Sequence, residues 1–168
     1  DGGLLAGLEC LLELAFVRHR HAAAVRFQAL DHEGRASRVL DREGVLELLP
    51  PEQRPPVAEL KLSIVDVKCT DARGVTYVVE MQVLQVEGFE KRIVYNLCKA
   101  FTSQLDAGDD YPTLNDVVAV TICDFVLWPD QEHPHIPMLS RWTLREERSG
   151  ARRLQQMRYA FLELPKYT

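Results

Sequence analysis

Two runs of apolar, largely β-branched residues flank a short polar turn between Leu60 and Val86, and an acid interrupts each run. Asp66 falls among Leu60, Leu62, Ile64, Val65 and Val67. Glu80 and Gln82 fall among Tyr77, Val78, Val79, Met81 and Val83. Residues of this type fit a pleated surface, so the stretch reads as a β-hairpin. A carboxylate inside such a run is predicted to be buried, and a charge taken out of water needs a partner or a metal. Side chains alternate faces along a strand, which sets Leu62, Ile64, Asp66 and Lys68 on one side and Thr76, Val78, Glu80 and Gln82 on one side. Symmetry about Arg73 then sets Asp66 opposite Glu80 and Ile64 opposite Gln82. Opposed residues share a face with Cβ atoms roughly 4.5–5.5 Å apart. Carboxylates that close repel unless one is protonated, a Lys intervenes or a divalent cation binds both. Mg²⁺ prefers such oxygen ligands, with water in its remaining positions. Asp66 and Glu80, with the Met81 carbonyl, would suit it, leaving Lys68 or Gln82 to orient the water or a scissile phosphate. A solvated surface set of ion pairs is the plainer reading of the same residues.

The rest of the chain bounds the setting. At 168 residues and 46% hydrophobic, it has the makings of one globular domain. A net charge of −5 gives no overall attraction to nucleic acid, so such a partner needs a local basic patch. Cys10, Cys69, Cys98 and Cys123 lie far apart, without metal spacing, and read as reduced thiols. No run reaches the roughly 20 apolar residues that span a bilayer. Residues 1–16 lack a basic start and carry Glu9 and Glu13, unlike a signal peptide. The expectation is a soluble, cytoplasmic, single-domain α/β protein over residues 1–168.

Leu4–Arg20 has helical periodicity, and Ala22–Leu30 either continues it or forms a strand. Asp31–Gly34 is a turn. Asp41–Leu49 reads as a short helix, ended by Pro50 and Pro51, with Pro55 and Pro56 fixing an extended connector. After the hairpin, Gly88–Asp106 is the strongest helix: Phe89, Ile93, Leu97, Ala100, Phe101 and Leu105 line one face. Glu90, Lys91, Arg92, Asn96, Lys99 and Ser103 line the other. Asn115–Trp128 reads as a strand buried on both faces. Met138–Glu146 and Leu154–Leu164 read as two strands around Arg148–Gly150. This order gives a mixed central β-sheet flanked by helices, with a C-terminal β-hairpin.

The segment Val65–Gln82 (VDVKCTDARGVTYVVEMQ) resembles the core of the PD-(D/E)XK nuclease superfamily, in its Rpn branch of recombination-promoting nucleases and transposases. Asp71, Gly74, Tyr77, Glu80, Met81 and Gln82 follow the branch's turn and second strand, and Phe89, Arg92 and Tyr95 its helix. Gln104-Leu105, Gly108 and Tyr111 are similar to its post-helix turn, and Leu164-Pro165-Lys166 to its ending. The resemblance covers about Leu60 to Lys166. It implies a restriction-endonuclease-like core over 60–166, after an N-terminal helical part at 1–57, and metal-dependent cleavage of DNA. Asp66 and Glu80 would hold Mg²⁺ or Mn²⁺. Gln82 would stand where the superfamily more often has Lys, and Arg92 and Tyr95 would approach metal or phosphate. Val65 replaces the motif's Pro, and residues 1–57 lack the branch's usual opening. Glu9 and Glu13 are the N-terminal acids by position only.

Elsewhere, six arginines of the terminal hairpin (Arg141, Arg145, Arg148, Arg152, Arg153 and Arg158) outnumber Glu146 and Glu147. They would either track a DNA backbone or protect a sheet edge. His133 and His135 lack further ligands nearby. Trp128 and Trp142 read as core or interface, and Ser103 and Ser140 have no His partner. Two functions follow. One is a Mg²⁺-dependent DNA endonuclease linked to transposition or recombination. The other is a degenerate nuclease-fold module that binds DNA or a protein partner, or assembles as a homodimer.

Overall fold

The computed structural model describes residues 38–41, 44–50, 52–53 and 63–167. The expectations for Leu4–Arg20, Ala22–Leu30, Asp31–Gly34, Pro55–Pro56, Cys10, Glu9 and Glu13 lie outside them. Among the described residues nine strands appear: β1 (Arg38–Asp41), β2 (Gly44–Leu49), β3 (Glu52–Gln53), β4 (Ser63–Ile64), β5 (Val67–Thr70), β6 (Thr76–Gln82), β7 (Val117–Cys123), β8 (Leu139–Thr143) and β9 (Met157–Glu163). One α-helix, α1 (Phe89–Thr102), connects β6 to β7. Seven strands form a mixed sheet in the order β1-β2-β5-β6-β7-β9-β8, while β3 and β4 pair separately. The centre, β6-β7-β9, is parallel; β2, β5 and β8 run antiparallel to their inner neighbours. This is the α/β, restriction-endonuclease-like core that the sequence predicts.

Residue type explains the centre. All of β7 is buried, as a Val- and Ile-rich run between two covered faces must be. Alternation sorts its side chains. Tyr77, Val79, Val118, Val120, Ile122, Ala160 and Leu162 share one core with Cys69. Val78, Val117, Ala119, Cys123 and Phe161 share the other with Phe89, Ile93, Leu97 and Ala100 of α1. Glu80 follows Val78 by two residues, so it lies on the helix-covered face.

Three expectations change. Asp41–Leu49 is not a helix: Arg38–Asp41 pairs with Gly44–Glu47, and Glu47–Leu49 pairs with Lys68–Thr70. A nine-residue segment with Gly44 in its middle is too short to hold a helix against the backbone hydrogen bonds offered by the β5 edge. The first hairpin strand is broken at Val65-Asp66, so Ile64 opposes Glu52 rather than Gln82. The helix is shorter than Gly88–Asp106. It stops at Ser103, whose N–H donates to the Lys99 carbonyl at 2.9 Å. No described helix is long and apolar enough to cross a membrane.

Candidate active site

The β5–β6 register sets Val67 opposite Val79 and Thr70 opposite Thr76. This is the mirror about Arg73 that the sequence predicts, and the pairing ends at Val67, one residue short of Asp66. The turn is braced by Asp71. One carboxylate oxygen accepts the N–H groups of Arg73 (2.9 Å) and Val75 (3.0 Å), and the other accepts the Arg73 guanidinium (2.6 Å) and the Tyr77 hydroxyl (3.2 Å). Burial first, then the Asp71 charge, pushes Tyr77 up to about 12, so it stays a neutral donor. Asp71, Gly74 and Tyr77 thus fix the hairpin.

The two acids differ in setting. Glu80 is buried, 7% exposed, but Asp66 is exposed in a bend before β5. The expectation of burial fails for Asp66 because the strand breaks there and lifts it from the pleat. Its carboxylate nevertheless turns inward: Oδ2 accepts the Met81 N–H at 2.6 Å, one residue from Glu80. At Met81, then, the donor N–H meets Asp66.

Helix α1 supplies the partners of Glu80. Asn96 donates its amide to Glu80 Oε1, and Arg92 Nη2 lies 3.3 Å from Oε2. Asn96 is buried, which corrects its assignment to the polar face of the helix. The signal was available: Asn96 falls one turn after Arg92 and directly before Leu97, at the edge of the apolar stripe, where a polar residue meets the sheet. Asn96 Oδ1 is buried with no hydrogen-bond partner among the described residues. Lys68 pairs with Val78 across the strands, on the same face, and burial holds its amine below the usual range. Gln82, half-buried, ends β6. Tyr95 is exposed, with the Lys99 ammonium 5.5 Å from its ring centre.

These residues fit a hard divalent cation in kind. Two carboxylates flank one stretch of β6, and the buried Asn96 Oδ1 adds an oxygen without a partner. Among the described residues no cluster of three or more His, Cys, Asp or Glu could hold a metal ion, so the acids here number two. His133 and His135 gain no such companions.

The family-model comparison agrees with this geometry. A model of the PD-(D/E)XK nuclease family transposases matches residues 39–168, which includes every strand from β2 to β9 and the whole site. No curated protein and no solved structure matches the chain. With a mixed sheet, an acid beside the β5 start, a Glu-x-Gln on β6 and a match over more than half its length, the chain belongs to the PD-(D/E)XK nuclease family transposases.

Proposed function

We propose that the protein is a metal-dependent DNA endonuclease acting in transposition or recombination, with its centre at Asp66, Glu80 and Gln82. The observation that carries this reading is the convergence of Asp66 and Glu80 on one stretch of β6, with Gln82 two residues further on the same face. Asp66 and Glu80 would hold Mg²⁺ or Mn²⁺, and the ion would supply Lewis acidity toward a water and a phosphate oxygen. Gln82 has an amide that can both donate and accept, which suits it to orient a water. Lys68, with its amine held low by burial, and Arg92 offer positive charge to a phosphate on the same face. Asn96 fixes the Glu80 carboxylate from behind. Tyr95 belongs to the same helix and is proposed as a contact to the DNA.

Nicking of supercoiled plasmid in Mg²⁺ or Mn²⁺ tests this. Asp66→Asn and Glu80→Gln should each lose more than about 100-fold in rate, the scale of losing an electrostatic contact to the transition state. Residual cleavage equal to wild type in both variants would remove these residues from the mechanism.

A second reading has its own observation. Glu80 is already neutralised by Arg92 and held by Asn96, as in a site kept for structure. A degenerate nuclease-fold module would bind DNA with steep salt dependence, yet show no heat on titration with millimolar Mg²⁺. A cation-dependent heat lost in Asp66→Asn decides for the enzyme.

A further inference from the structure

Arg92 is held unusually for a cation beside a buried acid. Its Nη2 approaches Glu80 Oε2 at 3.3 Å, yet neither Nη2 nor Nε makes a hydrogen bond among the described residues, although both atoms are buried. A guanidinium presents five N–H donors in a planar fork and normally grips a carboxylate through two of them. Here it touches Glu80 at the edge, while its carbon stands 5.6 Å from the centre of the Phe89 ring. The Arg92 side chain as a whole is 40% exposed, against 10% for that of Glu80. Asn96 differs in every respect. It is 2% exposed, its amide donates to the other oxygen of Glu80, and it sits in the middle turns of α1.

We propose that Glu80 has one permanent partner, Asn96, and one exchangeable partner, Arg92. Arg92 neutralises Glu80 while no divalent cation is held. It releases that carboxylate when a cation takes its place, and its unpaired N–H groups then serve a phosphate oxygen of the DNA. The physical argument is charge balance. A buried carboxylate left alone is costly, and so is a guanidinium pressed against a dication. Glu80 therefore holds one cationic partner at a time on its Oε2 side. Arg92 needs little displacement to change partner, because its approach to Glu80 is a single contact at 3.3 Å without a hydrogen bond. A phosphate offers the fork the paired acceptors that Glu80 does not.

This inference rests on the metal-site reading of Asp66 and Glu80, and its test separates the two. Calorimetric titration of Mn²⁺ is run on wild type, Arg92→Met, Lys91→Met and Asp66→Asn, each first checked for folding by circular dichroism. Arg92→Gln stands in should the Met variant fail to fold. Removing Arg92 should tighten Mn²⁺ binding by about tenfold, the equivalent of one modest ion pair. Lys91 is exposed on the same helix, so its removal reports charge alone and should change affinity by less than about twofold. At saturating Mn²⁺, nicking by Arg92→Met should fall by about 100-fold. Tighter metal with slower cleavage is a split that loss of a merely structural residue would not produce. Equal or weaker Mn²⁺ binding by Arg92→Met, with wild-type binding intact and lost in Asp66→Asn, overturns the exchange and leaves the metal site standing. No binding by folded wild type and folded Arg92 variants overturns both.

Discussion

Glu163 has no exposed surface, and its two oxygens hold three parts of the chain. Oε1 accepts the N–H groups of Leu127 (2.6 Å) and Trp128 (3.0 Å), while Oε2 pairs with Lys166 Nζ at 2.9 Å. Lys166 donates onward to the Ile136 carbonyl at 3.1 Å. The loop after β7 is thereby tied to the end of β9. Burial, and then the Glu163 charge, pushes the Cys123 thiol up to about 12, so it remains protonated. Glu163→Gln leaves Lys166 without its countercharge in a dry setting, and should cost about 3 kcal/mol, read from the urea midpoint. Lys68 works in the opposite sense. Burial lowers its pKa, so the folded protein keeps the charged amine at a cost below that lowered value. Lys68→Met should therefore melt at a higher temperature than wild type at pH 7. The gain shrinks as pH rises through the folded pKa and is gone above the unfolded value near 10.5, because the unfolded amine then loses its proton too. A pH series of melting curves checks the sign. Should nicking fall while stability rises, Lys68 serves the reaction rather than the fold.

The hairpin and the segment after α1 are joined at one glycine. Gly74 has φ +84°, and a Cβ there would stand 2.8 Å from Asn115 Oδ1. Asn115 is itself clamped by Gln104, whose side chain accepts the Asn115 N–H at 2.9 Å and donates to its carbonyl at 3.0 Å. Gly74→Ala meets a left-handed backbone and must also push the Asn115 side chain aside, so it should lose about 1–3 kcal/mol. Its Mn²⁺ affinity, measured below the melting point, should match wild type, because Asp71 still braces the turn. The family-like residues thus divide by task. Asp71, Gly74, Tyr77, Gln104 and Lys166 hold elements together, while Asp66, Glu80 and Gln82 belong to the proposed site. Sequence order shows both sets, but not the division, which depends on which atoms each side chain reaches. The hairpin register was legible because a turn centred on Arg73 leaves the pairing little choice. The break at Asp66 was not, because β3 draws Ser63 and Ile64 into a separate pair. For Asn96, helical periodicity shows a polar residue at the edge of the apolar stripe, and its burial against Glu80 follows from the sheet that edge meets.

Across the whole molecule, the apolar core is written in the sequence more plainly than the sheet order is. The buried runs of β6, β7 and β9 follow from composition and alternation. That β9 lies beside β7, parallel to it, while β8 takes the edge, comes from long-range pairing. This arrangement gives the arginines of the terminal hairpin different positions. Arg158 pairs with Asp116 at 2.8 Å. Arg145, Arg148, Arg152 and Arg153 are exposed in the connection between β8 and β9, with no ion pair among the described residues. Glu146 is the nearest acid in sequence to Arg145, and it is committed to the turn. It accepts the Ser149 hydroxyl and N–H at 2.6 Å each and the Arg148 N–H at 3.1 Å. The connection meets the sheet at Gln156, whose carbonyl accepts the Val117 N–H at 2.8 Å. Glu80 lies four residues along β6 from Thr76, the partner of Val117, or about 13 Å at the rise of a strand. A duplex with its scissile phosphate at Asp66 and Glu80 would cover that separation along the strands in about four base pairs, counting about 3.4 Å for each, with a further step of about 10 Å across the sheet from β6 to β9. On the proposed function, these four arginines would be the local basic patch that a chain of net charge −5 needs. Replacing all four with Ser should weaken DNA binding and reduce the slope of log K against log salt by about 3 to 4. Mn²⁺ binding should not change, because none of them contacts the site. An unchanged salt slope would mean that the arginines protect the β8 edge instead, and that the duplex approaches from the β5 side.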